Sequence, residues 1–264
     1  MSYYPDREEL PPLGALCLDY TDDIHRPPGD PLNELSFQFP IIHEMVENAS
    51  LWNVVASEEY TEEFLQKFVN ACDKLADRGA LGIITSCGFL AQVQQRLAAR
   101  IRIPIVTSSL LQIPFLLNVR HQSEHIGVIT FDSSTLGDAH FRGAGVTPEM
   151  KERVSVIGCP PDGVLRGIIK NGDPYVHEDL EAEIVNCAEE LLKIDPQVKV
   201  FLLECTQMPP SAKAIQKSTG LPVYDVVTLI DWFYAGLRPK TFVADEFKEE
   251  GLRRRLRSDQ ELKQ

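Results

Sequence analysis

Two cysteines stand at matching places in the chain. Cys87 follows the apolar run "LGIITS", Cys205 follows "VKVFLLE", and each precedes a stretch that reads as a helix. A cysteine kept for packing belongs inside a strand. At a strand end that opens a helix, a thiol meets the positive end of the helix dipole, which favours thiolate. Pro104 lies 17 residues beyond Cys87 and Pro222 lies 17 residues beyond Cys205. The segments "FVNACDKLADRGALGIITSCGF" and "IVNCAEELLKIDPQVKVFLLECTQM" share one layout: a helix with Val-Asn, a turn, an apolar strand, then the cysteine. Two such units related by pseudo-twofold symmetry would set Cys87 and Cys205 on opposite walls of one cleft. There a thiolate can take a proton from one face of a carbon while a thiol delivers one to the other. Two thiols that close titrate as a coupled pair.

The elements that must position them follow from hydrophobic patterning. Strands are expected at 13–18, 51–56, 80–85, 103–106, 125–130, 153–158, 198–203 and 221–224. Helices are expected over 61–79, about 88–100, 178–193, from Pro209, and 226–236. Between Thr61 and Gly79, apolar residues at 64, 65, 68, 72, 75 and 76 form one helical face, closed by a glycine. Strands alternating with helices indicate a mostly parallel α/β architecture. In such sheets ligands sit beyond the carboxyl ends of the strands, which is where both cysteines fall.

The segments "TSCGFL" (85–90), "PIVTSSLLQIP" (104–114), "IGVITFDSSTL" (126–136) and "ECTQMPP" (204–210), with the early "RPPGDPLN" and "FQFP", resemble the cofactor-independent aspartate/glutamate racemase superfamily. That group also holds hydantoin racemases, arylmalonate decarboxylases and maleate isomerases. The resemblance spans roughly residues 13–236. It implies an α/β fold of two pseudo-symmetric flavodoxin-like lobes with mostly parallel sheets and the active site in the cleft between them. The lobes would be 1–102 plus 220–264, and 103–219, with the strand after each cysteine helix crossing into the other lobe. It implies Cys87 and Cys205 as catalytic residues and no pyridoxal phosphate, metal or nucleotide. The reaction implied is racemisation or epimerisation of a small carboxylate-bearing compound, an amino acid or hydantoin-like ring, by an isomerase. Rival readings are a maleate-isomerase-like or decarboxylase-like enzyme of the same superfamily, or a catalytically silent ligand-binding protein. The chain departs from glutamate racemases in carrying Cys-Gly-Phe and Cys-Thr-Gln, with Gln207 where those carry histidine, and in lacking Asp-Ser-Gly after the first strand.

Other residues are expected to bind substrate. Thr85, Ser86, Gly88, Thr206 and Gln207 flank the cysteines and offer hydroxyls, an amide and backbone N–H groups to a carboxylate. Ser133 and Thr135 follow the strand "HIGVIT" at an equivalent loop, and Asp19 follows the first strand. Capping and turn roles compete with binding at each of these. Asp30, in "PPGD", is read as turn punctuation unless that loop closes over the site. Glu204 is left out of the set, since strand alternation turns it away from Cys205. Cys17, Cys72, Cys159 and Cys187 are read as packing residues.

Composition sets limits on partners. The net charge of −13 argues against an extended nucleic-acid surface. No apolar run reaches the length of a membrane span. The six cysteines show neither CxxC nor ligand spacing and read as reduced thiols of a cytoplasmic protein. The expected partner is a small-molecule carboxylate, with room for a homo-oligomer. The charged run "RRRLR" (253–257) reads as a solvated face.

Overall fold

The computed structural model describes residues 7–19, 24–56 and 60–240, so the 253–257 segment lies outside the described residues. The elements are β1 (Leu13–Leu18), β2 (Ile41–Val46), α1 (Leu51–Val54), α2 (Glu62–Asp77), β3 (Ile83–Thr85), α3 (Gln94–Ala98) and α4 (Ile113–Asn118). Then come β4 (His125–Thr130), α5 (Asp138–Gly143), α6 (Pro148–Lys151), β5 (Val154–Gly158), α7 (Val164–Asn171), α8 (His177–Ile194), β6 (Val198–Leu203), α9 (Ala212–Thr219), β7 (Val223–Tyr224) and α10 (Val226–Leu237).

Two parallel sheets carry the fold, in the orders β2-β1-β3 and β5-β4-β6-β7. A parallel bridge from Ile83 to Ile105 extends the first sheet by one position beyond β3. Both sheets therefore start with a central strand, add the second on one side, then reverse to add the third on the other. The reversal leaves a crevice at the carboxyl ends of the first and third strands, the usual ligand position in open α/β sheets. Cys87 follows β3 and Cys205 follows β6, so each cysteine sits at its own lobe's crevice.

The sequence repeat is thus a repeat of topology, although two details differ from expectation. The segments after the cysteine helices do not cross between lobes: Ile105 stays beside β3, and β7 pairs with β6. The chain returns to the first sheet through α10, whose Val226, Leu229, Ile230 and Phe233 pack in one cluster with Leu13, Ala15 and Ile84. The opposite face of β1, through Leu16 and Leu18, joins the main core with Phe68, Cys72 and Leu75 of α2.

The 51–56 segment, expected as a strand, forms the short helix α1 instead, with Leu51 and Val54 buried on one side and Trp52 68% exposed. The second strand of the first sheet is β2, "IIHEMV", whose half-exposed residues hid it from a hydrophobic reading. The expected strand at 103–106 is reduced to the single Ile105 bridge, and the other strand and helix expectations coincide with elements within a few residues.

Candidate active site

Cys87 and Cys205 line one pocket. The loop after β3 supplies Ser86, Cys87, Gly88 and Phe89, and the loop after β6 supplies Glu204, Cys205, Thr206 and Gln207. Ile24 and Arg26 come from the early loop, Leu51 and Val55 from the α1 region, Phe131 from the end of β4 and Ile169 from α7. The cavity is small, ≈ 30 Å³, about the share of one water in the liquid.

Side chain to backbone bonds tie the two loops together. Thr206 Oγ1 donates to the Ser86 carbonyl at 2.9 Å, and Ser109 Oγ donates to the Leu203 carbonyl at 2.7 Å. The early loop closes over this junction. Asp30, fully buried, accepts from Arg26 Nη1 at 2.8 Å and from Gln207 Nε2. Gly29 adopts φ +107°, a conformation that suits glycine, where it packs on Pro210. Burial pushes the Asp30 carboxyl up, and Arg26 opposes the shift. Asp30 is therefore more than turn punctuation, because it fixes both Arg26 and Gln207 at the pocket.

The structure distributes the expected substrate-binding residues unevenly. Ser86, Gly88, Thr206 and Gln207 line the pocket with the two cysteines. Ser86 Oγ and Gln207 Oε1 are buried there without a hydrogen-bond partner among the described residues. Thr85 is buried but spends its hydroxyl on the Thr107 and Cys87 carbonyls, at 2.7 and 3.2 Å, bracing the loop from behind. Ser133 lines a different pocket, beside Cys159 and Arg166, and Thr135 Oγ1 donates to the Asp132 carbonyl. Asp19 accepts from the Asn48 N–H at 2.9 Å in an exposed turn. These three are turn and cap residues away from the cysteine pair. Cys159 and Cys187, expected as packing residues, are both buried in the hydrophobic core.

The expected thiolate at a helix start is not what surrounds Cys205. Burial, reinforced by Glu204 and further by Cys87 and Asp30, pushes its thiol well above the usual cysteine range. The turns that follow the cysteines are 3-10 turns, Gly88–Val93 and Pro209–Ser211, rather than α-helices. They offer little aligned dipole.

Glu204 is the residue that sequence reasoning missed. β6 is buried on both faces over Val200–Leu203. Alternation therefore finds no solvent on either side, and Glu204 continues into the interior with no exposure. Its Oε2 accepts from Thr130 Oγ1 at 2.7 Å, and the Phe131 N–H also donates to the carboxylate. Its Oε1 has no hydrogen-bond partner among the described residues. Burial pushes the carboxyl up to about 7 against those hydrogen bonds. Gly88 leaves room for it: a Cβ there would fall on Glu204 Oε1 and the Glu204 carbonyl. Gly88→Ala should accordingly cost about 1–3 kcal/mol through overpacking, measured by denaturant unfolding. Unchanged stability would mean that Glu204 can withdraw from the loop.

The topology and the paired cysteine loops define an α/β protein with the two-lobed fold of the aspartate/glutamate racemase superfamily. Solved structures agree at the level of fold. A glycine-to-cysteine variant of arylmalonate decarboxylase in its sulfate-associated form matches with a TM-score of 0.54 at 15% identity, covering 87% of this chain and 97% of that one. Glutamate racemase from Campylobacter jejuni matches with a TM-score of 0.52 at 12% identity, covering 88% of each chain. No family model matches the chain.

The curated relatives carry a different activity in their names. The chain is 29% identical over 236 residues to dimethylsulfoniopropionate lyase 7 of Emiliania huxleyi, a match covering 87% of this chain and 68% of the relative. It is 29% identical over 228 residues to the dimethylsulfoniopropionate lyase of Durusdinium sp. clade D, covering 85% and 74%. Against dimethylsulfoniopropionate lyase 6 of Emiliania huxleyi it is 27% identical over 234 residues and spans 60% of the relative's length. These names correct the expected function and enzyme class. The relatives are lyases, so the expectation of an amino-acid or hydantoin racemase, an isomerase, is withdrawn. Among the described residues no helix is long and apolar enough to cross a membrane, and no group of three or more His, Cys, Asp or Glu could hold a metal ion.

Proposed function

We propose that the chain is a carbon–sulfur lyase that cleaves dimethylsulfoniopropionate, or a close β-sulfonio carboxylate, into dimethyl sulfide and acrylate. The observation that carries the reading is the pair of cysteine loops on one pocket in a chain whose relatives share that lyase name. The substrate joins a carboxylate to a carbon bearing dimethylsulfonium one position further on. A base removes the proton α to the carboxylate, the α–β double bond forms, and the β-carbon–sulfur bond breaks with its electron pair leaving on sulfur. Dimethyl sulfide departs neutral and needs no proton. Elimination therefore requires a base on one face only.

We assign that base to Cys87. Cys205 is held as a thiol by burial and by Glu204, which suits it to donate a hydrogen bond to the substrate. Arg26, the Ser86 hydroxyl and the Thr206 loop line the same pocket and are assigned to the carboxylate, which acidifies the α-proton when its charge is paired. Six free, buried cysteines suit a reducing compartment, and we place the protein in the cytoplasm.

The test is to supply dimethylsulfoniopropionate to the purified protein and follow headspace dimethyl sulfide by gas chromatography and acrylate by proton NMR. The expected result is the two products in equal amounts. Absence of both under conditions where the protein is folded overturns the reading.

A further inference from the structure

We propose that Glu204 is the counter-ion for the onium group of the substrate, so that the pocket selects zwitterions with a cationic end at Glu204 and a carboxylate end at Arg26. This deepens the lyase reading and rests on it for the identity of the substrate.

Glu204 has no solvent exposure and lines the cysteine pocket. Its Oε2 is held by Thr130, while Oε1 is pressed against the Cys87–Gly88 loop with no hydrogen-bond partner among the described residues. A buried carboxyl without a cation is costly to a fold. Among the described residues no lysine, arginine or histidine forms an ion pair with it, and the arginine that does line the pocket, Arg26, is 2.8 Å from Asp30. Arg26, braced by Asp30, which also holds Gln207, and Glu204 line one pocket together with the apolar side chains of Leu51, Val55, Phe89 and Ile169. Apolar walls around a buried carboxyl match an onium centre, whose charge is wrapped in alkyl groups and which has no N–H to satisfy.

The titratable and charged groups facing this site are Cys87 after β3, Cys205 after β6, and Arg26 and Asp30 on the early loop. Arg166, paired to Asp132 at 2.9 Å, and Lys170 both lie over the Phe131 ring, and Tyr60 interacts with Cys87. Burial leaves Glu204 poised near neutrality, at about 7. An entering cation favours the ionised carboxyl and expels its proton. Onium binding should therefore strengthen as pH rises through this value, while a ligand of the same shape without the cationic centre gains nothing.

The experiment is calorimetric titration of the wild-type protein and of Glu204→Gln with two unreactive ligands. They are 3-(trimethylammonio)propanoate and its carbon isostere 4,4-dimethylpentanoate, which keeps the carboxylate and lacks the cationic centre, each at about pH 6 and about pH 8. In wild type the onium-to-isostere affinity ratio should rise severalfold from the lower to the higher pH, with proton release on onium binding. In Glu204→Gln the ratio at about pH 8 should drop at least about tenfold, since the buried charge is gone. A wild-type ratio that ignores pH, or a variant that keeps the wild-type ratio, overturns the proposal, and the wild-type arms decide it alone if the variant does not fold. Failure of the lyase reading shows separately, as no dimethyl sulfide from dimethylsulfoniopropionate. If the sulfide appears without any onium preference, the counter-ion role alone is refuted.

Discussion

Cys87→Ser should slow dimethyl sulfide release by about 10³-fold or more, within the span that a positioned general base contributes, while leaving binding of unreactive onium ligands within about twofold. Serine keeps the shape of the side chain, but its hydroxyl is scarcely ionised near neutral pH, so the α-proton loses its acceptor. Cys205→Ser should cost less, about 10- to 100-fold, because a neutral sulfide leaves without protonation and the second thiol serves through hydrogen bonding. The asymmetry is the informative part. A racemising pair would lose everything from either substitution, since each turnover uses both faces of one carbon. An elimination uses one face, and Cys205 lies against Glu204, which with burial pushes its thiol up so that it keeps its proton. Initial rates of dimethyl sulfide formation for both variants check this. Undiminished release by Cys87→Ser would sink the base assignment, and a reversed order of the two losses would move it to Cys205.

The fold was legible wherever burial and periodicity agree. α2 shows one apolar face through Leu65, Phe68, Cys72 and Leu75, and β4 and β6 are short apolar runs because both sheet faces are covered. The repeat around the cysteines was legible because each lobe builds the same strand order, and that order requires the same unit to precede each crevice. β2 and α1 were missed for separate physical reasons. β2 is an edge strand with His43 exposed and Glu44 only partly covered, and α1 is a single short turn inside the apolar run 51–56, too short to show a helical period.

At the site, sequence placed the two thiols in one pocket with Ser86, Gly88, Thr206 and Gln207. It carried no sign that Asp30 would reach Gln207 across 177 positions of chain. It misjudged Glu204 by extending alternation past a strand that has no wet side. The chemistry was the least legible part. Proton abstraction next to a carboxylate is common to racemases, decarboxylases and eliminating lyases, and the outcome depends on what the next carbon carries.

Glu204→Gln should make the protein more stable than wild type at about pH 8, by about 3 kcal/mol, and leave it unchanged near pH 4. The carboxyl sits at about 7 in the folded protein against an ordinary value of 4.5. A group whose folded value is raised stabilises the fold while it is protonated. That contribution is fully present below the unfolded value, is lost as pH rises from there through about 7, and is gone above it, where wild type must carry a buried carboxylate. Glutamine keeps an oxygen for Thr130 and Phe131 and bears no charge at any of these pH values. For a chain of this size the difference corresponds to roughly 6–12 °C in melting temperature, read by thermal denaturation of both proteins over the pH series. An equal gap at both ends of the series would mean that the substitution acts through packing and not through charge. A stability gain at high pH, coupled to loss of onium selectivity, is the signature of a group that the fold retains for its ligand at a cost to itself. The same wild-type protein should then recover most of that stability at high pH when an onium ligand occupies the pocket, because the ligand supplies the missing positive charge.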